Sequence, residues 1–232
     1  MILPPRWEKI DTVLLDMDGT LLDRHFDDHF WLEHVPGEYA RLRGMSLDDA
    51  KRELSAKYRS QEGTLNWTDL DYWSESLGLD IPTLKRQVDH LIAVHSGVEE
   101  FLEALRRSGR AVWLVTNAHS KTLELKMEKT ALAGKFSRIF TSQQIGFPKE
   151  EVRFWEELRC RASFEPERAL LADDTLEVLE TAACFGLAFL VQVARFSSVR
   201  APEHSERFFS IEGFREIMPP ARPGSGRIDR GE

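Results

Sequence analysis

The sequence predicts an α/β protein in which a parallel sheet is covered by helices and an all-helical segment is inserted near the start. Two observations predict the sheet: short apolar runs alternate with segments of helical pattern, and the central runs are continuously apolar, as in strands buried on both faces. A third predicts the insertion. About 90 residues separate the first run from the second, whereas a crossover between parallel strands needs only a few tens.

Five runs have the length and composition of strands. They cover residues 12–17, 111–116, 139–142, 169–172 and 187–193. Residues 97–109 between the insertion and the second run carry apolar side chains at helical spacing and end at Gly109, so they predict a helix. The alternation then continues to residue 193, which favours one doubly covered sheet.

The insertion reads as helices from residue 24 to residue 95. Ser46 and Asp49 resemble a capping box, Thr68 is a candidate cap for a helix carrying Trp73, and Pro82 suits a first helical turn. Because the segment leaves the carboxyl end of the first strand, it is placed to form a lid over the sheet. We therefore predict a core of residues 1–23 and 97–218, a helical cap of residues 24–96, and a disordered tail of residues 219–232, which is rich in Pro, Gly and charge.

Composition narrows the classes of function. The 232 residues carry a formal net charge of −8, which disfavours binding to a nucleic acid polymer. We expect no membrane span and no export, since no apolar run approaches the roughly 20 residues needed and the start lacks a secretory pattern. Cys160 and Cys184 stand in apolar stretches and are predicted to be buried thiols rather than a disulfide, which favours a cytoplasmic protein. The oligomeric state stays open.

Two carboxylates follow the first predicted strand in the run Asp16-Met-Asp18-Gly19-Thr20. This run stands at the carboxyl end of a strand, where open α/β sheets bind ligands, and both side chains can face one ligand there. The glycine allows the backbone to approach that ligand closely. A polar loop with a turn glycine is the alternative, and it explains less well why this pattern directly follows a buried strand.

Polar groups also occur at two later positions of this kind. The second predicted strand ends in Thr116-Asn117, a pair that in isolation is more often a turn or a helix cap. Lys149 opens a predicted acidic helix, where a positive charge is disfavoured. In isolation it would be interpreted as a surface lysine paired with Glu150 or Glu151.

Asp173 and Asp174 follow the fourth predicted strand. Adjacent carboxylates in this position repel each other unless a cation or a proton lies between them, and an N-cap role would explain only one of the two. Together with Asp16 and Asp18 they form the oxygen-rich set that Mg²⁺ prefers, with water and phosphate oxygens as the remaining ligands. The sequence thus predicts a magnesium and phosphate site.

As a set, these motifs resemble the four ordered motifs of the haloacid dehalogenase-like hydrolase superfamily over residues 12–193. Residues 26–31, 65–73 and 116–119 are also similar to the bacterial GMP/IMP nucleotidases within it, and Thr175 keeps the hydroxyl of the serine that many relatives carry. The resemblance implies a Rossmann-like core with a helical cap. It also implies a Mg²⁺-dependent phosphatase that forms an aspartyl-phosphate and acts on purine monophosphates such as GMP and IMP.

The resemblance further implies roles for single residues. Asp16 would be the nucleophile and Asp18 the general acid and base. Metal ligands would be Asp16, the backbone carbonyl of Asp18, and Asp174, with Asp173 as a further ligand or water anchor. Thr116 and Lys149 would bind phosphoryl oxygens. The predicted substrate-binding residues are Gly19, Thr20, Asn117, Asn66 and Trp67.

Residues of the predicted cap are candidates for contact with the leaving group. His29, Trp31, Asn66 and Trp67 can contact a purine base, although core packing explains the tryptophans about as well. His95 and His119 are expected to cap or pack rather than to bind metal. A sugar-phosphate phosphatase or a phosphomutase on the same core remains an alternative, because motifs fix the chemistry but not the leaving group. A non-catalytic binding module is the alternative from another class.

Overall fold

A computed structural model describes residues 4–220 and contains a sheet in which all neighbouring strands are parallel. The strands are β1 (Thr12–Leu15), β2 (Ala111–Thr116), β3 (Arg138–Thr141), β4 (Ala169–Asp173), β5 (Phe189–Val193) and β6 (Phe209–Ile211). Their order in the sheet is β3-β2-β1-β4-β5-β6. The predicted α/β class with a Rossmann-like parallel sheet is confirmed.

The helices lie between these strands. They are α1 (His25–His29), α2 (Val35–Arg43), α3 (Leu47–Arg59), α4 (Leu70–Leu77), α5 (Ile81–Gln87), α6 (Val98–Arg107), α7 (Ser120–Thr130), α8 (Ser142–Ile145), α9 (Val152–Arg161) and α10 (Leu176–Phe185). Over residues 4–220, none of these helices combines the length and the apolar character needed to cross a bilayer.

Two apolar clusters cover the two faces of the sheet. Val13 and Leu15 of β1 belong to one cluster, and Leu14 between them belongs to the other. This division follows from the strand geometry, since successive side chains point to opposite faces. Phe101 on α6 packs on the first face and Trp155 on α9 packs on the second, so the central strands are buried on both sides as their composition predicts.

The segment between β1 and α6 is helical, and its residues from α1 to α5, Trp73 among them, form a third apolar cluster that Leu125 of α7 joins. Leu22 and Val94 form an isolated antiparallel bridge, so the two connections to the sheet run side by side. We call residues 24–96 the helical insert. The domain limits given above remain predictions.

Helix starts in the insert agree with the sequence at one point and differ at another. Ser46 caps α3 by accepting a hydrogen bond from the Asp49 N–H. Thr68 does not cap α4. Asp69 does, because its carboxylate accepts hydrogen bonds from two N–H groups of the first turn, while the Thr68 hydroxyl accepts one from the Gln143 amide instead.

Three other expectations were wrong or incomplete. Lys149 does not open a helix, because it lies in a turn ahead of α9 and its side chain is buried. Cys160 and Cys184 are exposed, since each lies off the buried stripe of its helix. The short edge strand β6 has no counterpart in the prediction. Most of the predicted tail, residues 221–232, lies outside the described residues.

Candidate active site

A cavity of about 420 Å³ lies at the carboxyl end of the sheet, beneath the helical insert. Its floor is formed where β1, β2 and β4 end, by Asp16, Asp18, Thr116 and Asp174, together with Lys149. The sequence-predicted residues converge here because parallel strands bring their carboxyl ends to the same edge. The volume is within the range of sites for small molecules.

Asp16 stands directly after β1 and its backbone N–H donates to the Ala172 carbonyl of β4 at 3.0 Å. Lys149 Nζ lies 2.5 Å from Asp16 Oδ1 and 2.6 Å from Asp173 Oδ2, and all three side chains are buried. Burial alone would lower the pKa of Lys149, but the charges of Asp16 and Asp173 outweigh it and raise the pKa above its ordinary value. Lys149 is therefore a fixed cation on the cavity floor.

The turn that carries Lys149 is held by groups from the end of β2 and from α9. The Lys149 N–H donates to Asn117 Oδ1 at 3.1 Å, and the Trp155 indole donates to the Lys149 carbonyl at 3.0 Å. The Asn117 amide nitrogen donates to both carboxylate oxygens of Glu150, at 2.9 and 3.1 Å. Asn117 lines the cavity, and its side chain is engaged in positioning this turn.

Asp16, Asp173 and Asp174 offer carboxylate oxygens that all lie within 4.8 Å of one another, and each residue is buried. Burial raises the pKa of Asp16 to about 6. Burial also raises the pKa of Asp174 well above its ordinary value, and the like charges of Asp173 and Asp16 add to that rise. Three buried carboxylates beside one lysine are a donor set that fits a divalent cation bound by oxygen. Arg24 also contacts Asp174, with 3.2 Å between Nη1 and Oδ2.

Gly19 lies against this carboxylate cluster. Its φ is +89°, and a Cβ added there would stand 2.5 Å from Asp174 Oδ2. Only glycine leaves Asp174 in its present place. The structure thus gives Gly19 a contact with a predicted metal ligand, and its close approach to a phosphate remains a prediction.

Asp18 is bound by a lysine that the sequence patterns did not predict. Lys126 on α7 places Nζ 2.5 Å from Asp18 Oδ1 and 2.5 Å from Asp27 Oδ2 on α1 of the insert. Lys85 on α5 then donates to Asp27 Oδ1 at 2.8 Å. The spacing along α7 indicates that Lys126 is buried. It stands four residues after the buried Thr122 and therefore lies on the face of the helix that packs inward.

The remaining predicted residues differ in their positions. Thr116 is buried on the cavity floor, and its hydroxyl accepts a hydrogen bond from the Ala118 N–H at 3.0 Å. Thr20 is buried outside the cavity lining, and within residues 4–220 its hydroxyl has no hydrogen-bond partner. His119 lines the cavity edge and caps α7 through Nδ1, as expected, while His95 contacts the Phe196 carbonyl.

Aromatic side chains of the insert form a second part of the cavity wall. Tyr58 packs edge-on against Trp31, Trp67 and Trp73, with ring centroids 5.6, 6.3 and 5.1 Å away, and all four residues line the cavity. Trp67 is 38% exposed, so part of its surface is accessible. Asn66 does not line the cavity, because its amide donates to Gln61 at 3.0 Å on the outer surface. His29 also lies outside the lining.

Comparisons with known proteins agree with this geometry. The model of a family described as haloacid dehalogenase-like hydrolases matches residues 10–186. The GMP/IMP nucleotidase YrfG of Escherichia coli (strain K12) is 37% identical over 213 residues, which are 92% of this chain and 96% of that protein. A protein of the same name from Shigella flexneri matches equally well.

Solved structures share the fold. The HAD phosphatase from Thermococcus onnurineus aligns with a TM-score of 0.75 and 23% identity, covering 90% of this chain and 96% of that one. The HAD hydrolase YfnB from Bacillus subtilis, solved bound to magnesium, aligns with a TM-score of 0.58 and 18% identity over the same shares. At these identities the two structures support the fold alone.

Proposed function

Because this chain belongs to the haloacid dehalogenase-like hydrolases and is a phosphoric monoester hydrolase, we propose that it hydrolyses purine nucleoside monophosphates with Mg²⁺. One observation carries the proposal: carboxylates of a buried cluster, Lys149 and an aromatic wall from the insert all line the same cavity. The carboxylates and Lys149 can hold a phosphoryl group, and the aromatic wall offers flat apolar surface to a base. The 37% identity to a protein named as a GMP/IMP nucleotidase favours a purine.

In this proposal Asp16 is the nucleophile. One of its carboxylate oxygens attacks phosphorus, the bond from phosphorus to the leaving oxygen breaks, and an aspartyl-phosphate results. Lys149 lies 2.5 Å from Asp16 and provides a fixed positive charge next to the transferred group. The Thr116 hydroxyl, which lines the same floor, donates to a phosphoryl oxygen.

Asp18 serves both halves of the reaction. In the first half its protonated carboxyl gives a proton to the leaving alkoxide, and in the second half its carboxylate takes a proton from the water that attacks phosphorus. Water attack releases inorganic phosphate and restores the Asp16 carboxylate. A positioned acid and base of this kind contributes about 10²- to 10⁴-fold in rate.

Mg²⁺ would be held by the carboxylates of Asp16 and Asp174 and the backbone carbonyl of Asp18, with Asp173 as a further ligand or water anchor. When bound, the ion supplies positive charge that lets a carboxylate approach a phosphate dianion. The mutual repulsion of three buried carboxylates supports this assignment, since a divalent ion relieves it.

The helical insert would act as a cap that covers the ester and contacts the leaving group. Trp67 is partly exposed and lines the cavity, and Trp31 lies on the same wall. Base stacking on an aromatic side chain is worth about 1–3 kcal/mol. The substrate class therefore depends on the insert, and a cytoplasmic enzyme remains our prediction for its location.

The test is a panel of phosphate monoesters incubated with the purified protein and Mg²⁺, followed by measurement of released inorganic phosphate. We expect GMP and IMP to be hydrolysed with higher kcat/KM than pyrimidine nucleotides and sugar phosphates. Asp16→Asn is expected to abolish turnover while circular dichroism and the melting temperature show a folded protein. A preference for a sugar phosphate would contradict the purine assignment, and isomerisation without free phosphate would indicate a mutase.

A further inference from the structure

Four charged side chains form a chain of ion pairs from the cavity into the helical insert. Asp18 and Lys126 belong to the core, whereas Asp27 and Lys85 belong to the insert. The nitrogen-to-oxygen distances along the chain are 2.5, 2.5 and 2.8 Å. Because these contacts are direct, each of the four side chains is held in place by its neighbour in the chain of ion pairs.

Both lysines are buried to a degree that is rare for this residue type. The Lys126 and Lys85 side chains are 1% and 3% exposed, and Asp27 between them is 19% exposed. Lys85 Nζ also lies 4.9 and 4.7 Å from the ring centroids of Phe26 and Phe30. Buried ion pairs of this kind contribute little net stability, because removing the charges from water costs about as much as their attraction returns.

A role in positioning explains the arrangement better than a role in stability. Lys126 occupies Oδ1 of Asp18, which leaves Oδ2 as the oxygen that can face a leaving group in the cavity. A carboxyl that turns freely presents its proton in the productive direction for only a fraction of the time, and a misplacement of 1 Å can cost about 10²-fold in rate. Asp27 holds Lys126 from the insert side at the same distance.

We propose that Lys126 is a positioning residue that orients Asp18 for proton transfer to the leaving group, and that Asp27 and Lys85 make this orientation depend on the docked insert. This inference rests on the proposed function, in which Asp18 is the general acid and base. The insert then covers the substrate. Through Asp27 it also holds Lys126 in the position that orients Asp18, the general acid for the substrate's leaving oxygen.

The test compares two leaving groups in single-turnover experiments with enzyme in excess. A nucleoside monophosphate releases a strongly basic alkoxide that needs a proton, whereas p-nitrophenyl phosphate releases a weakly basic phenolate that does not. Lys126→Met is expected to slow release of the nucleoside about 10²-fold and release of p-nitrophenolate less than about 3-fold. KM for both esters, measured separately in steady state, is expected to change little, since Lys126 contacts Asp18 and does not line the cavity.

Lys129→Met is the matched control. Lys129 lies on the same helix, pairs with Asp89 of the insert at 2.9 Å, and does not contact Asp18. The Lys129→Met variant loses one ion pair between core and insert but leaves the contacts of Asp18 unchanged. The rate constants for both esters should therefore remain within about 3-fold of wild type. Asp27→Asn is a second variant that keeps Lys126 in place on Asp18 but loosens its other anchor, and it should slow the nucleoside substrate about 10-fold with the same preference.

The outcomes are distinguishable. A wild-type protein that releases phosphate from no ester would contradict the proposed function itself. If wild type is active and Lys126→Met slows both esters equally or raises KM alone, Lys126 acts through phosphate binding or folding and the positioning role is wrong. If Lys126→Met does not fold, Asp27→Asn decides, because an unchanged ratio of the two rate constants in that folded variant would overturn the proposal.

Discussion

Replacing Gly19 by alanine is expected to disable the site by displacing Asp174, a proposed metal ligand. Gly19 has a φ of +89°, and an added Cβ would stand 2.5 Å from Asp174 Oδ2 and 2.6 Å from its Cγ. Ordinary contact begins at 3.4 Å, so the carboxylate must retreat by about 1 Å. Asp174 is buried and bound by Arg24, which leaves it little room to do so.

The magnitude follows from two separate effects. A left-handed backbone costs an alanine about 1–2 kcal/mol, which lowers the free energy of unfolding wherever such a glycine is replaced. A displacement of 1 Å in a proposed metal ligand costs about 10²-fold in rate, since transition-state contacts depend on position. Gly19→Ala is therefore expected to lose about 10²-fold in kcat for phosphate release and to need more Mg²⁺ for half-maximal activity.

Gly109→Ala separates the two effects. Gly109 has a φ of +69°, and nothing lies within 4 Å of a Cβ built on it. It should show a similar loss of stability in urea titrations with wild-type kcat and wild-type Mg²⁺ dependence. Equal activity in Gly19→Ala and Gly109→Ala would refute the reasoning, because it would show that Asp174 can move without consequence.

Three further predictions concern the wall, the metal and the fold. Trp67→Ala should raise KM for a purine monophosphate about 10-fold, from a stacking contribution of about 1–3 kcal/mol. Asn66→Ala should leave KM unchanged because Asn66 lies outside the cavity lining. Equal effects of the two substitutions would contradict the contact between Trp67 and the base. Mg²⁺ at about 100 times its Kd should stabilise the protein by about 2.7 kcal/mol. A melting temperature that Mg²⁺ does not raise at constant ionic strength would contradict an ion site among Asp16, Asp173 and Asp174. Burial lowers the pKa of His95 below 6.5, so His95 binds a proton more readily in the unfolded chain than in the folded protein. The contribution of His95 to the free energy of unfolding is therefore fully present above pH 6.5 and falls as the pH decreases below that value. Urea midpoints at pH 7 and pH 5.5 should show this fall in wild type and a smaller one in His95→Gln.

The floor of the site could be predicted from the sequence because its residues follow strands. Asp16 and Asp174 directly follow strands and Thr116 ends one, and parallel strands bring such ends together whatever the lengths between them. A residue's position at the end of a predicted strand thus indicates which other residues lie close to it in the folded protein. Lys149 could be predicted as unusual from its charge, but its burial between two carboxylates could not, because it lies in an irregular turn whose course depends on Asn117 and Trp155.

Features that depend on how one element docks on another were not predictable in this way. The edge strand β6 has three residues and, within the described part of the chain, pairs only with β5, so its local pattern is too short to identify. Thr68 and Asp69 are adjacent and both are good helix caps. Asp69 caps α4, while the Thr68 hydroxyl binds Gln143 of the core, a contact that the local sequence does not indicate.

Lys126 shows the same limit at the site itself. A lysine on a helix is normally a surface residue, and its sequence neighbours do not reveal that α1 of the insert brings Asp27 against it. A buried lysine must find negative partners, and the two that Lys126 finds come from opposite sides of the boundary between core and insert. The pairing exists only when the insert lies on the core. Site residues at strand ends can therefore be predicted from the sequence. Contacts between an inserted segment and those residues cannot, because they form only after both parts have folded.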